Sequence, residues 1–126
     1  MKFLCLAYEE EAKLNALSKA EWDALRTETL AYVAKIQAMG VLLAAEPLQT
    51  VHTAATVRVR QNKVSITDGP FAETKETLGG YFLINVRDRD EALKVAAEWP
   101  SARFGSIEVR PIEEGLPQDR RYAQQL

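Results

Sequence analysis

The 126-residue sequence contains a single cysteine, Cys5, and a single histidine, His52. One cysteine excludes an internal disulfide, and one Cys with one His cannot supply the ligand set of a structural zinc site. No metal and no cofactor are therefore expected. Long apolar runs are missing too: nothing approaches the roughly 18 residues that a membrane-crossing helix needs. The opening "MKFLCLAYEEE" passes from a short apolar stretch straight into acids without a small-residue cleavage signal, so the expectation is a cytoplasmic protein with no membrane partner. Charge of one sign is not in excess. Sixteen Lys and Arg against eighteen Asp and Glu, scattered without a basic stripe, argue against direct nucleic-acid binding. Glycine-rich phosphate loops of the GxGxxG or P-loop kind are also lacking.

What is present is an ordinary globular composition, 47% hydrophobic and 27% charged, in a length that suits one core. "KFLCLAY" (2–8) is apolar on both alternating sets, Phe3, Cys5 and Ala7 against Leu4, Leu6 and Tyr8, which predicts a strand covered on both faces. "EEEAKLNAL" reads as a loop or irregular turn. Ser18 and Glu21 have capping-box spacing. Trp22, Leu25, Thr29, Tyr32, Ile36 and Met39 then recur at steps of three and four, predicting a helix that faces a core and ends at Gly40. "VLLAAEPL" reads as a strand stopped by Pro47, and "QTVHTA" as a loop. "TVRVR" and "VSIT", joined through Gln61, Asn62 and Lys63, predict a hairpin, because Asn62 tolerates positive φ. "GYFLINV" is a further apolar strand. Asp88 and Glu91 repeat the capping spacing ahead of a second helix closed by Pro100, and "SIEVRP" is the last strand.

The order β-α-β, hairpin, β-α-β predicts an α+β fold: a ferredoxin-like split βαβ sheet with an inserted β-hairpin and its helices on one face. The domain is expected over residues 1–112, with 113–126 a polar tail that docks through Leu116 and Tyr122. Helices on one face leave the other apolar face of "KFLCLAY" and "GYFLINV" uncovered. A second copy is the simplest cover, which predicts a homodimer whose facing sheets form a dimeric α/β barrel.

The segment "TDGPFAETKETLGGYFLI", with "TVRVR" before it and "GSIEVRP" after it, closely resembles the YCII-related proteins of the DGPF type, over about residues 2–112. The resemblance implies the dimeric α+β barrel fold. It also implies a link to transcription initiation through alternative sigma factors, and wider kinship with isomerases and lyases acting on ring compounds. In the YCII branch a His–Asp pair is implied as catalytic. Relatives often read "ARHGS" before the last strand, whereas this sequence reads "ARFGS", with Phe104 at the histidine's place.

Candidate functional residues cluster around the same loop. Gly69 suits a conformation closed to side chains, and Pro70 suits the first position of a helical turn "FAETKET" whose free N–H groups Asp68 would cap. That device either orders a crossover, dropping Phe71 into the core or the dimer seam, or presents Asp68 as a base. Glu73, Lys75 and Glu76 form a compact charged cluster. Either water solvates them, or Lys75 holds an anion while Glu76 moves a proton. Glu108 and Arg110 alternate with the packed Ile107 and Val109, and so form either a structural ion pair or, with Tyr81, a ligand-binding floor. His52 reads as a surface residue and Cys5 as a buried, inert thiol.

Two functions follow. The first is a homodimeric small-ligand-binding or regulatory module, which docks a small molecule or a partner protein without turnover. The second is an acid–base lyase or isomerase acting on a small ring-containing or anionic metabolite at the dimer seam. Asp68 and Glu76 would then be catalytic, with Pro70, Phe71, Lys75, Tyr81, Glu108 and Arg110 binding the ligand.

Overall fold

The computed structural model describes residues 1–115. In chain order the elements are β1 (Lys2–Glu9), α1 (Glu11–Asn15), α2 (Lys19–Ala38), β2 (Leu42–Pro47), β3 (Ala55–Arg60), β4 (Lys63–Asp68), β5 (Thr77–Asn85), α3 (Arg89–Ala97) and β6 (Gly105–Pro111). Single 3-10 helices occupy Val51–Thr53 and Pro100–Phe104. The main sheet has four strands in the order β2-β5-β1-β6, every pairing antiparallel, and β3-β4 stand apart as a two-stranded hairpin. This is the split βαβ arrangement with an inserted hairpin that the sequence predicts.

Local chemistry explains the elements. Ser18 Oγ accepts from the Glu21 N–H at 3.1 Å and Glu21 Oε1 accepts from the Ser18 N–H at 3.0 Å, so the capping box of α2 is complete. Gly40, at φ +73°, turns the chain out of the helix. At α3 the Asp88 carboxylate caps the Glu91 N–H, but Glu91 turns back to Arg87 rather than to its cap. In the hairpin, Gln61 and Asn62 both take positive φ, 52° and 64°, the signature of a two-residue turn whose twist matches the strands.

The core lies between the helices and one face of the sheet. Phe3 and Cys5 of β1 and Phe82 and Ile84 of β5 are buried there with Ile36 of α2 and Ala92 of α3, so both long helices cover the same face. Phe82 stacks on Trp99 with centroids 3.9 Å apart, Trp99 meets Tyr32 edge-on at 6.0 Å, and the Tyr32 hydroxyl donates to the Val95 carbonyl at 2.8 Å. Burial pushes the Cys5 thiol up to about 12, which keeps it protonated and inert. The opposite face carries Leu4, Leu6, Tyr8, Tyr81 and Leu83, each half-buried in the single chain.

Several expectations need correction. The "EEEAKLNAL" segment contains α1 rather than only a turn. Trp22 and Met39 belong to the apolar spacing of α2 yet are 47% and 63% exposed, and Leu25, Thr29, Tyr32 and Ile36 make the inward face with Val33. Phe71–Ala72 and Lys75–Glu76 are bends on either side of irregular chain, not a helical turn, so Asp68 has no helix to cap. Phe71 is 79% exposed and outside the core. The expected docking of Leu116 and Tyr122 lies outside the described residues.

Candidate functional site

Counting alternate residues along β1 from Phe3 leads through Cys5 and Ala7 to Glu9 on the same helix-facing side. Ordinarily a carboxylate could not continue such a stripe. Here the partner strand makes room. Ala7 pairs with Gly80 and Tyr8 with Leu78, leaving Gly79 as the extra residue of a β-bulge. A side chain on Gly79 would collide with the Glu9 carboxylate. Gly80 is also tight: a Cβ there would sit 3.0 Å from the Glu46 carbonyl oxygen, where β2 closes on β5. The Gly79–Gly80 pair of the motif therefore seats an acid and lets an edge strand approach.

Glu9 projects into a cavity of about 490 Å³ between α2 and the sheet. Phe82 and Trp99 line its interior, Leu25, Thr29 and Val33 of α2 roof it, and exposed Trp22, Leu30 and Pro47 form the rim. Among the described residues no side chain donates a hydrogen bond or an ion pair to the Glu9 carboxylate. Burial, with a smaller contribution from the neighbouring Glu11 charge, raises its pKa above the ordinary carboxylate range. A carboxyl so placed holds its proton more tightly than an exposed one, which suits it to proton transfer.

A second, polar hollow of about 260 Å³ is lined by Glu10, Lys13, Lys75, Glu76, Arg103, Phe104 and Gly105. Its charged groups already have partners within the chain. Glu10 pairs with Lys13 at 3.3 Å and Lys75 at 3.8 Å, Ser106 Oγ donates to Glu76 at 3.0 Å, and Arg103 makes a two-pronged contact with Glu28 at 2.7 and 2.8 Å. Half-buried Phe104 forms part of the wall. Gly105 closes the hollow because a Cβ there would run into the Tyr8 carbonyl oxygen.

The structure thus brings Lys75 and Glu76 together but separates them from Asp68. Asp68 ends β4, is exposed, and lines neither hollow. Pro70 and Phe71 are exposed beside it, and Arg58 reaches the Phe71 carbonyl at 3.4 Å. Glu108 and Arg110 form an ion pair at 2.6 Å in the open, their side chains 41% and 71% exposed. Tyr81 touches the border of the Glu9 cavity, while its register partner Leu6 also pairs with Glu108, on the outer face. His52 is exposed on its 3-10 helix. Glu9 is the residue that motif reasoning missed. The signal was available in the period-two count of β1, had it been carried one step beyond Tyr8.

Comparison with known proteins agrees with this architecture. The YCII-related domain matches residues 1–115. An uncharacterised protein of Rhizobium meliloti (strain 1021) is 37% identical over 114 residues, spanning 89% of this chain and 92% of its own length. Among solved structures, the chain is similar to 5-chloro-2-hydroxyhydroquinone dehydrochlorinase (TftG) from Burkholderia phenoliruptrix AC1100, in complex with 2,5-dihydroxybenzoquinone. The TM-score is 0.53 at 16% identity, covering 91% of this chain and 96% of that one, a likeness of fold. On its sequence and its α+β architecture together, the chain belongs to the YCII-related domain family.

Proposed function

We propose that this protein binds a small ring-bearing metabolite in the cavity beneath α2, and that Glu9 exchanges a proton with it. The observation that carries this is an unpaired carboxylate of raised pKa inside a cavity walled by Trp99, with fully buried Phe82 stacked against that indole. About 490 Å³ falls in the size range of small-molecule sites, which are mostly apolar with a few placed polar groups. Aromatic walls favour a flat ring by stacking. The chemistry that fits is a lyase or isomerase step. Glu9 takes a proton from one atom of the ring compound and, as the neutral acid, returns it to another atom or to a leaving group. No electrons are gained or lost overall. A quinone-bound dehydrochlorinase of the same fold supports the compatibility of the fold with ring compounds.

Ligand binding without turnover is the second reading. It is favoured by Phe104, which puts an apolar ring where relatives often carry a histidine, and by the matched charges of the polar hollow. In either case the assembly proposed is a homodimer formed through the outer sheet face, where Leu4 pairs with Leu83 and both are half-buried.

Thermal denaturation with a panel of hydroxybenzenes and hydroxyquinones, followed by NMR of hydrogen–deuterium exchange into the bound compounds, separates the two readings. Binding at one hundred times the dissociation constant should stabilise the fold by about 2.7 kcal/mol. For acid–base chemistry, exchange should be fast with the natural protein and lost in Glu9→Gln. Equal exchange by both proteins would overturn the role of Glu9. Stabilisation without exchange would leave a binding module.

A further inference from the structure

The Glu9 cavity holds a second charge without a task. Arg26 lies on α2 one helical turn from Trp22 and one from Leu30, and all three border the cavity. Arg87 is held by Glu91 at 2.8 Å, Arg103 by Glu28, and Arg110 by Glu108, while Arg58, Arg60 and Arg89, which also lack a carboxylate partner, are exposed and border neither hollow. Arg26 has no carboxylate within ion-pairing distance among the described residues. The two acids that share its cavity, Glu9 on the floor and Glu46 on the β2 side, leave it unpaired. The cavity thus offers an exposed, unpaired cation at its edge and a carboxyl on its floor, with aromatic surface between them.

Building on the function proposed above, we infer that Arg26 is a specificity-determining residue that anchors a carboxylate, and that the ligand class is a hydroxylated aromatic acid. A guanidinium presents parallel N–H donors whose spacing matches the two oxygens of a carboxylate, and such charge-assisted pairs are stronger than neutral hydrogen bonds. With the carboxylate held at α2, the ring lies against Trp99, and a ring hydroxyl is left to face Glu9. A neutral ring compound would fill the same space but leave the cation without a partner.

Calorimetric titration with 4-hydroxybenzoate and with 4-hydroxybenzamide, which has nearly the same shape and no charge, tests this. The natural protein should prefer the benzoate by about tenfold or more, since a hydrogen-bonded charge pair contributes more than its neutral counterpart. Arg26→Gln, at an exposed position that does not disturb the core, should abolish that preference and leave benzamide affinity within about twofold. Arg26→Lys should retain part of it, keeping charge without the planar fork. Equal affinity of the natural protein for both compounds, or an equal loss of both in Arg26→Gln, would overturn the anchor while leaving the cavity as the binding site. Binding of neither compound, nor of any ring compound in the thermal panel, would overturn the cavity and the anchor together.

Discussion

Glu9 ends β1 inside the apolar cavity beneath α2, and Glu10, the next residue, lies in the polar hollow beside Phe104. The two side chains leave the same strand end in different directions, into surroundings that treat charge differently. Glu10 meets Lys13 and Lys75, Arg103 pairs with Glu28, and Glu76 accepts from the Ser106 hydroxyl. Glu9 meets aromatic walls and an arginine that does not reach it. A folded chain gains little from exposed ion pairs and loses stability by holding a carboxylate in apolar surroundings. Matched charge is therefore explained by structure alone. Unmatched charge in a cavity asks for a ligand, and this is why the cavity rather than the hollow is assigned the function.

The comparison should break first at the walls. Phe82 is fully buried and stacked on Trp99, so it belongs to the core as well as to the cavity. Phe82→Ala should cost about 3–5 kcal/mol in urea denaturation, the range for truncating a buried aromatic. Phe104→Ala, at the half-buried wall of the hollow, should cost less. If Phe82→Ala cost no more than Phe104→Ala, the cavity wall would not be part of the cooperative core, and an ordered ligand site could not rest on it.

Next come the two acids, for which opposite signs are expected. The folded state raises the Glu9 pKa, so folding favours its protonated form, and stability is lost as pH rises through the folded value. Glu9→Gln removes that loss. The variant should be more stable than the natural protein at neutral pH, and the difference should vanish on acidification below the ordinary glutamate value of about 4.3. Glu10→Gln instead deletes two ion pairs whose lysine ends are exposed to water and should lower stability by about 1 kcal/mol or less. Melting curves of the three proteins from pH 4 to pH 8 check both. A Glu9→Gln variant less stable than the natural protein at neutral pH would mean that the carboxylate has a structural partner after all.

Local patterns were the legible part of this fold. Capping spacing at Ser18 and Glu21, the left-handed exit at Gly40, positive φ at Asn62 and the two-faced apolar strand are each written in a few adjacent residues, and they place strands and helices correctly. The site was harder to read because it depends on distance between elements. Spacing along α2 identifies its inward face but not how far each turn stands from the sheet. Trp22 therefore reads as core although it forms the cavity rim. By composition the β1 stripe ends at Tyr8, because an acid marks a strand end. Only the bulge at Gly79, on another strand, permits Glu9 to continue the inward stripe. The Gly-Pro pair after Asp68 resembles a helix start, which makes its carboxylate look like a cap. Gly69 does take positive φ, +100°, but it redirects the chain into bends and leaves the carboxylate in the open.

The smallest effect is expected where the motif is richest in charge. Lys75 is 81% exposed on its side chain and makes a 3.8 Å contact with Glu10. Glu76 meets Ser106 at the surface, and Asp68 lines neither hollow. Surface substitutions of this kind usually change stability by no more than about 0.5 kcal/mol. Lys75→Ala, Glu76→Gln and Asp68→Asn should therefore each melt within about a degree or two of the natural protein. Each should also bind a hydroxylated ring compound as tightly as before, because none of the three borders the cavity that holds Glu9. Calorimetric titration of the three variants with one such compound measures this directly. A large loss of affinity in Lys75→Ala or Glu76→Gln, with Glu9→Gln unaffected, would exchange the roles of the two hollows: the matched charges beside Phe104 would be the ones that open to receive a ligand, and Glu9 would be a buried acid tolerated by the fold.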